Sequence, residues 1–141
     1  MKTILAVTAG ALLLVSAAAQ AREEHQHAKS HAEARMARLH KMMPRYAKAQ
    51  ALIEKSLDKG DLKTVAKQAD YLLSTTSDLK KSKPHKNVAQ LEEFQKIAAE
   101  FEVEVNKVTK SAKAGDIAGA RAAFASAKDR CNSCHTKFRG H

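Results

Sequence analysis

The sequence predicts an all-α chain folded as an antiparallel, up-down-up-down four-helix bundle. Three observations lead there. Apolar residues recur at three- and four-residue steps along most of the chain. The pairs Gly60-Asp61 and Gly115-Asp116 each supply a helix stop followed at once by a new N-cap. No stretch makes a convincing strand, and short connections between long helices favour antiparallel neighbours.

The first helix carries its stripe at positions 39, 43, 46, 50, 53 and 57, with Gln50 the polar exception. Pro44 falls inside it and removes a hydrogen bond to the carbonyl of His40, so a kink is expected there. Alternatively the helix is two pieces, with the stretch from Glu23 to about Arg38 loosely attached. The second helix repeats the pattern with Leu62, Val65, Ala69, Leu72, Thr76 and Leu79, and ends before Pro84. The third carries Val88, Leu91, Phe94, Ile97, Phe101, Val105 and Val108 and closes at Gly115. Asp116 caps the fourth, which sets Ile117, Ala120, Phe124, Ala127, Cys131, Cys134 and Phe138 on one side. With 4% aromatic residues and no Trp, the core must be mainly aliphatic.

The N-terminus reads as an export signal. Lys2 gives a short positive region, Ile4 to Ala19 is free of charge, and Ala19-Gln20-Ala21 fits an A-x-A cleavage site. The apolar stretch is short for a membrane span and runs into Arg22, Glu23 and Glu24. Residues 1–21 are therefore expected to be a signal peptide, and 22–141 one mature domain. Removing 21 of 141 residues leaves 120, enough for a single core. The formal charge falls only from +10 to +9 with the loss of Lys2.

The only two cysteines stand in Cys131-Asn132-Ser133-Cys134-His135. C-x-x-C-H is the attachment pattern for a c-type haem, in which each thiol adds to a vinyl group and the histidine becomes an axial ligand. A zinc ribbon would need a second ligand pair, which is absent. A thioredoxin-like pair belongs in a βαβ setting, and a disulfide closing so short a loop removes little unfolded-state entropy. One motif implies one haem, held near one end of the bundle. Export agrees with this chemistry, because c-type haem is attached outside the bacterial cytoplasm, so the expected location is the periplasm.

Cys131-x-x-Cys134-His135-x-x-Phe138-Arg139, preceded by Ala114-Gly115-Asp116 and Arg121-Ala122-Ala123-Phe124, resembles the end of the class II cytochromes c, the cytochrome c′ and cytochrome c-556 group. The likeness covers residues 35–139, with its specific part in the last 26 of these. Class I cytochromes c, with their motif near the N-terminus, are excluded by the order. The resemblance implies that Phe138 and Arg139 lie against the haem and that Arg38, four residues before Met42, belongs to the pocket. It also implies that a homodimer could form through the first two helices.

The sixth iron ligand is approached by counting. His135 lies about 28 Å along its helix from Asp116 at 1.5 Å per residue, and the same count back from Asp61 reaches Met42. Met42 and Met43 are thus the candidates, with His40 and Met36 outside them. Methionine opposite histidine gives a low-spin haem suited to electron transfer. The alternatives are that both methionines are core filler and the distal face is open. In the resemblance, low-spin c-556 members place a Met on the first helix, whereas cytochromes c′ stay five-coordinate there.

The expected function is a one-electron carrier with His135 and either Met42 or Met43 on the iron, and not an enzyme. The alternative is a five-coordinate protein that binds NO or CO. The run Lys80-Lys81-Ser82-Lys83-Pro84-His85-Lys86 would lie at the haem end and attract an acidic redox partner. An exported domain without aromatic interleaving is a poor nucleic-acid binder, and no membrane contact is expected after signal cleavage. His25, His27 and His31 form a small cluster; His27 and His31 share a helix face at i,i+4, but no convincing carboxylate arrangement completes a metal site.

Overall fold

The computed structural model describes the backbone of residues 11–139 and the side chains of residues 33, 34 and 36–139. Four α-helices follow one another: α1 (Ala11–Lys59), α2 (Leu62–Lys81), α3 (Leu91–Lys113) and α4 (Ile117–Phe138). A single 3-10 turn, Val88–Gln90, precedes α3, and no strand occurs among the described residues. The chain divides into two units, Met1–Ala34 and Arg35–His141, and the bundle lies in the second. The signal-peptide residues and the His25, His27 and His31 cluster fall outside the described side chains. Among the described residues no helix is long and apolar enough to cross a membrane.

The two Gly-Asp turns work as the sequence suggests. Gly60 and Gly115 adopt φ of +72° and +78°, a left-handed backbone that costs glycine nothing. In each, the following Asp N–H reaches back five residues, Asp61 to the carbonyl of Ser56 and Asp116 to that of Ser111, both at 2.9 Å. These bonds satisfy carbonyls that the ending helix leaves free. The Asp side chains then cap the next helix, Asp61 accepting from the Thr64 N–H at 3.0 Å and Asp116 from the Gly119 N–H at 2.8 Å.

Neighbouring helices run antiparallel. Along α1 and α4, Gln50 meets Cys131, Glu54 meets Lys128 and Asp58 meets Arg121. Between α2 and α3, Asp70 pairs with Lys113 and Thr76 with Glu102; between α3 and α4, Glu93 pairs with Lys137 and Glu100 with Arg130. Arg38 and Tyr46 of α1 contact Asp78 and Thr75 of α2. In every pair one number rises as the other falls, which is the up-down-up-down order.

The core is aliphatic with five aromatic residues, of which Phe124 packs near the opposite end from the motif. Ile53, Val65, Leu72, Val105 and Val108 are almost completely buried beside Tyr46, Phe94, Phe101 and Phe138. α1 runs as one helix through Pro44, whose ring costs it a single backbone hydrogen bond at that point. Two expectations need adjustment. Val88 and Ile117, expected on core stripes, are 52% and 38% exposed, because both sit in the first turn of their segments, outside the packed layer. The buried stripe of α1 is Leu39, Met42, Tyr46, Ala49, Ile53 and Leu57, with Met43 and Gln50 only half-buried. That difference locates the site.

Candidate functional site

Helical geometry gathers the motif. Cys131 and Cys134 are three apart and Cys131 and His135 four apart on α4, so all three side chains project from one face. Both thiols are free and half-buried. They open into a cavity of about 660 Å³ between α1, α3, α4 and the α2–α3 connection, within the range of about 300–1,000 Å³ usual for small-molecule sites. Leu39, Met43 and Tyr46 of α1 and Phe94, Ile97 and Phe101 of α3 supply its hydrocarbon, and Phe138 and Arg139 stand beside the motif. Phe94 meets Phe138 edge-on with ring centroids 5.4 Å apart.

The protonation states follow from burial. Loss of solvent pushes both thiols up to about 11, against which the Gln50 side chain donates an N–H to Cys131 Sγ at 2.9 Å. His135 is held below its ordinary value, first by the partial loss of solvent round its ring and then by the Arg139 guanidinium. A neutral imidazole has a free lone pair for a metal. Tyr46, buried in the cavity wall, is pushed up to about 12 by burial. Its hydroxyl lies 2.8 Å from Thr75 Oγ1, and Thr75 gives its own proton to the Leu72 carbonyl at 3.0 Å. With that proton on Leu72, Tyr46 donates to Thr75 and its hydroxyl is engaged with α2.

The two methionine candidates separate. Met43 lines the cavity, whereas Met42 is 6% exposed in the core and outside the lining. Met36 packs at the core's edge, and Arg38 is outside the lining too, its guanidinium 3.1 Å from Asp78. The register explains the shift. Arg121, five residues into α4 from its cap, pairs with Asp58, three residues before the α1–α2 turn, so the two Gly-Asp turns are not level. Carrying the Gln50–Cys131 and Glu54–Lys128 spacing onward puts His135 near the height of Tyr46, about one turn past the residue that the sequence count reaches.

Two features escaped the sequence. His40 and His85 meet at the cavity rim with their Nε2 atoms 3.0 Å apart, one ring donating to the other. Tyr46 was legible as a stripe residue, but nothing in the spacing marked its bond to Thr75.

The sequence model of the family described as Cytochrome C′ matches residues 17–139. The chain belongs to the cytochrome c′ family. Comparisons with curated proteins and with solved structures return no match. Membership makes this chain a c-type haem cytochrome, in a family whose members are typically periplasmic electron carriers or gas-binding haem proteins.

The residues present suit covalently attached haem c. Two thiols at helical spacing and an adjacent neutral imidazole open into a half-open, largely hydrocarbon space. Among the described residues no cluster of three or more His, Cys, Asp or Glu side chains forms a rival metal site.

Proposed function

We propose that this cytochrome c′ family member is a periplasmic, monohaem carrier of single electrons. Cys131 and Cys134 would attach the haem, with His135 as one axial ligand and Met43 as the other. The observation that carries this reading is that Met43 lines the same cavity as the three motif residues. Haem c, when bound, supplies an iron that cycles between the ferrous and ferric states, and a thioether opposite the imidazole raises its potential.

The chain's own residues hold and insulate. Leu39, Phe94, Ile97, Phe101 and Phe138 keep water from the interior of the cavity. Tyr46 braces α1 against α2 through Thr75 and stacks on Phe101 at 5.8 Å between centroids. Arg139 disfavours protonation of His135 and so preserves its lone pair. None of these roles is that of an acid, base or nucleophile, so the protein is read as a carrier and not an enzyme. Export would rest on residues 1–21.

A second reading has an observation of its own. Leu39, one turn before Met43, lines the same cavity. Were Leu39 to stand over the iron, the distal face would be closed by hydrocarbon alone and the iron left five-coordinate, as for a protein that binds NO or CO. Optical and EPR spectra of the purified ferric holoprotein separate the two. A low-spin spectrum that turns high-spin in Met43→Ala and persists in Met42→Ala supports the carrier. A high-spin spectrum already present in the wild type supports gas binding.

A further inference from the structure

Among the stretches of the chain that carry no acidic residue are those between Glu33 and Glu54, between Asp78 and Glu92, and after Asp129. The fold draws all three to the mouth of the haem cavity. His40 of α1 bonds His85 of the α2–α3 connection at 3.0 Å. That connection is in turn fastened to the end of α4, through the Lys86 N–H on the Phe138 carbonyl at 3.2 Å and the Asn87 amide on the Lys137 carbonyl at 2.7 Å.

Several cations at this end are already neutralised. Arg38, Lys80, Arg130 and Lys137 pair with Asp78, Glu102, Glu100 and Glu93. Lys41, Arg45, Lys83, Lys86 and Arg139 pair with no carboxylate among the described residues. Arg139 is itself in the cavity lining, and the other four are chain neighbours of lining residues: Lys41 follows His40, Arg45 follows Pro44, and Lys83 and Lys86 flank Pro84-His85.

We propose that this collar is the docking surface for an acidic partner protein that exchanges electrons with the haem, an inference that rests on the carrier reading above. Five uncompensated cations around one opening concentrate positive potential where an electron has to pass, and such fields raise association rates by about 10–1,000-fold at low salt. The collar is larger than the lysine run alone suggests, since α1 and the end of α4 contribute to it while Lys80 is withdrawn by Glu102. A protein fits better than an anionic membrane. Insertion into lipid needs an apolar face beside the charge, and of the exposed large apolar side chains among the described residues only Val88 adjoins the collar.

The test compares wild-type holoprotein with two variants of equal charge change. One is Lys41→Glu, Lys83→Glu, Lys86→Glu at the collar; the other is Lys55→Glu, Lys59→Glu, Lys63→Glu at the opposite end. Two probes are used: stopped-flow oxidation of the reduced protein by ferricyanide across ionic strength, and NMR titration with poly-L-glutamate. The proposal expects a rate that falls with salt, drops at least about tenfold at low salt in the collar variant only, and polyglutamate shifts centred on collar amides. Equal slowing in both variants would mean that net charge alone acts, and would overturn it. So would co-sedimentation of the wild type with anionic vesicles without binding to polyglutamate. If ferricyanide oxidises none of the three proteins, the carrier reading falls, and the polyglutamate titration still decides the collar.

Discussion

Replacing Tyr46 by Phe should destabilise the holoprotein near neutral pH and stabilise it in strong alkali. At pH 7 the substitution removes one hydroxyl, 2.8 Å from Thr75, from a residue only 4% exposed. Thr75 keeps its bond to Leu72, so no donor is orphaned and the loss stays near the usual net value of about 1 kcal/mol. In a domain of about 120 residues that lowers Tm by about 4 °C. The alkaline effect has the opposite sign. Burial raises the phenol from 10.0 to about 12, so the folded state holds its proton more tightly than the unfolded chain. The stabilisation is fully present below pH 10 and is lost as pH climbs through 12. Two pKa units correspond to about 3 kcal/mol, which exceeds the hydrogen bond. The difference between wild type and Tyr46→Phe should therefore vanish near about pH 11 and reverse above it. Urea denaturation of both holoproteins from pH 7 to 12 measures it, with the thioether-bound cysteines unable to titrate. A difference that stays constant across that range would show that Tyr46 is not a buried neutral donor.

Other substitutions probe separate parts of the account. Met42→Ala should cost about 2–5 kcal/mol in urea denaturation while sparing the ferric spectrum, because Met42 is core and Met43 lines the cavity. Gly119→Ala adds helix propensity on paper but should lower Tm. Its new methyl would overlap the Asp116 carboxylate that caps α4, and the loss should shrink when Asp116 is first removed. Glu102 is held below the ordinary carboxylate range, first by its bond from Lys80 and then by that from Thr76. Its contribution is present above the unfolded value and fades as pH falls through the folded one, so Glu102→Gln should flatten the acid limb of stability below about pH 4.5.

The helices were legible because their signals are local. Periodicity located the four segments, and each Gly-Asp pair turned the chain with the capping bonds that its residue types allow. The motif face was legible for the same reason, since positions 131, 134 and 135 share a side of any helix. What could not be read depends on packing between helices. The count that reached Met42 assumed level turns, and the Asp58–Arg121 contact shows an offset. The stripe through positions 39, 43, 46, 50, 53 and 57 merged two faces, one buried against α2 and the core, the other open to the cavity. Arg38 looked like a pocket residue by resemblance, yet Asp78, forty residues away, holds its guanidinium. The His40–His85 contact joins two segments that nothing in their spacing links.

Everything proposed for the site begins with the two sulfurs of α4. Intact-mass spectrometry of the chain, produced in a host able to mature c-type cytochromes, together with its pyridine haemochrome spectrum, tests that foundation directly. The account predicts the mature chain plus one haem, with no vinyl group left unreacted and the added mass mapping to the peptide that holds Cys131 and Cys134. Two unmodified thiols on a folded, haem-free chain would contradict it.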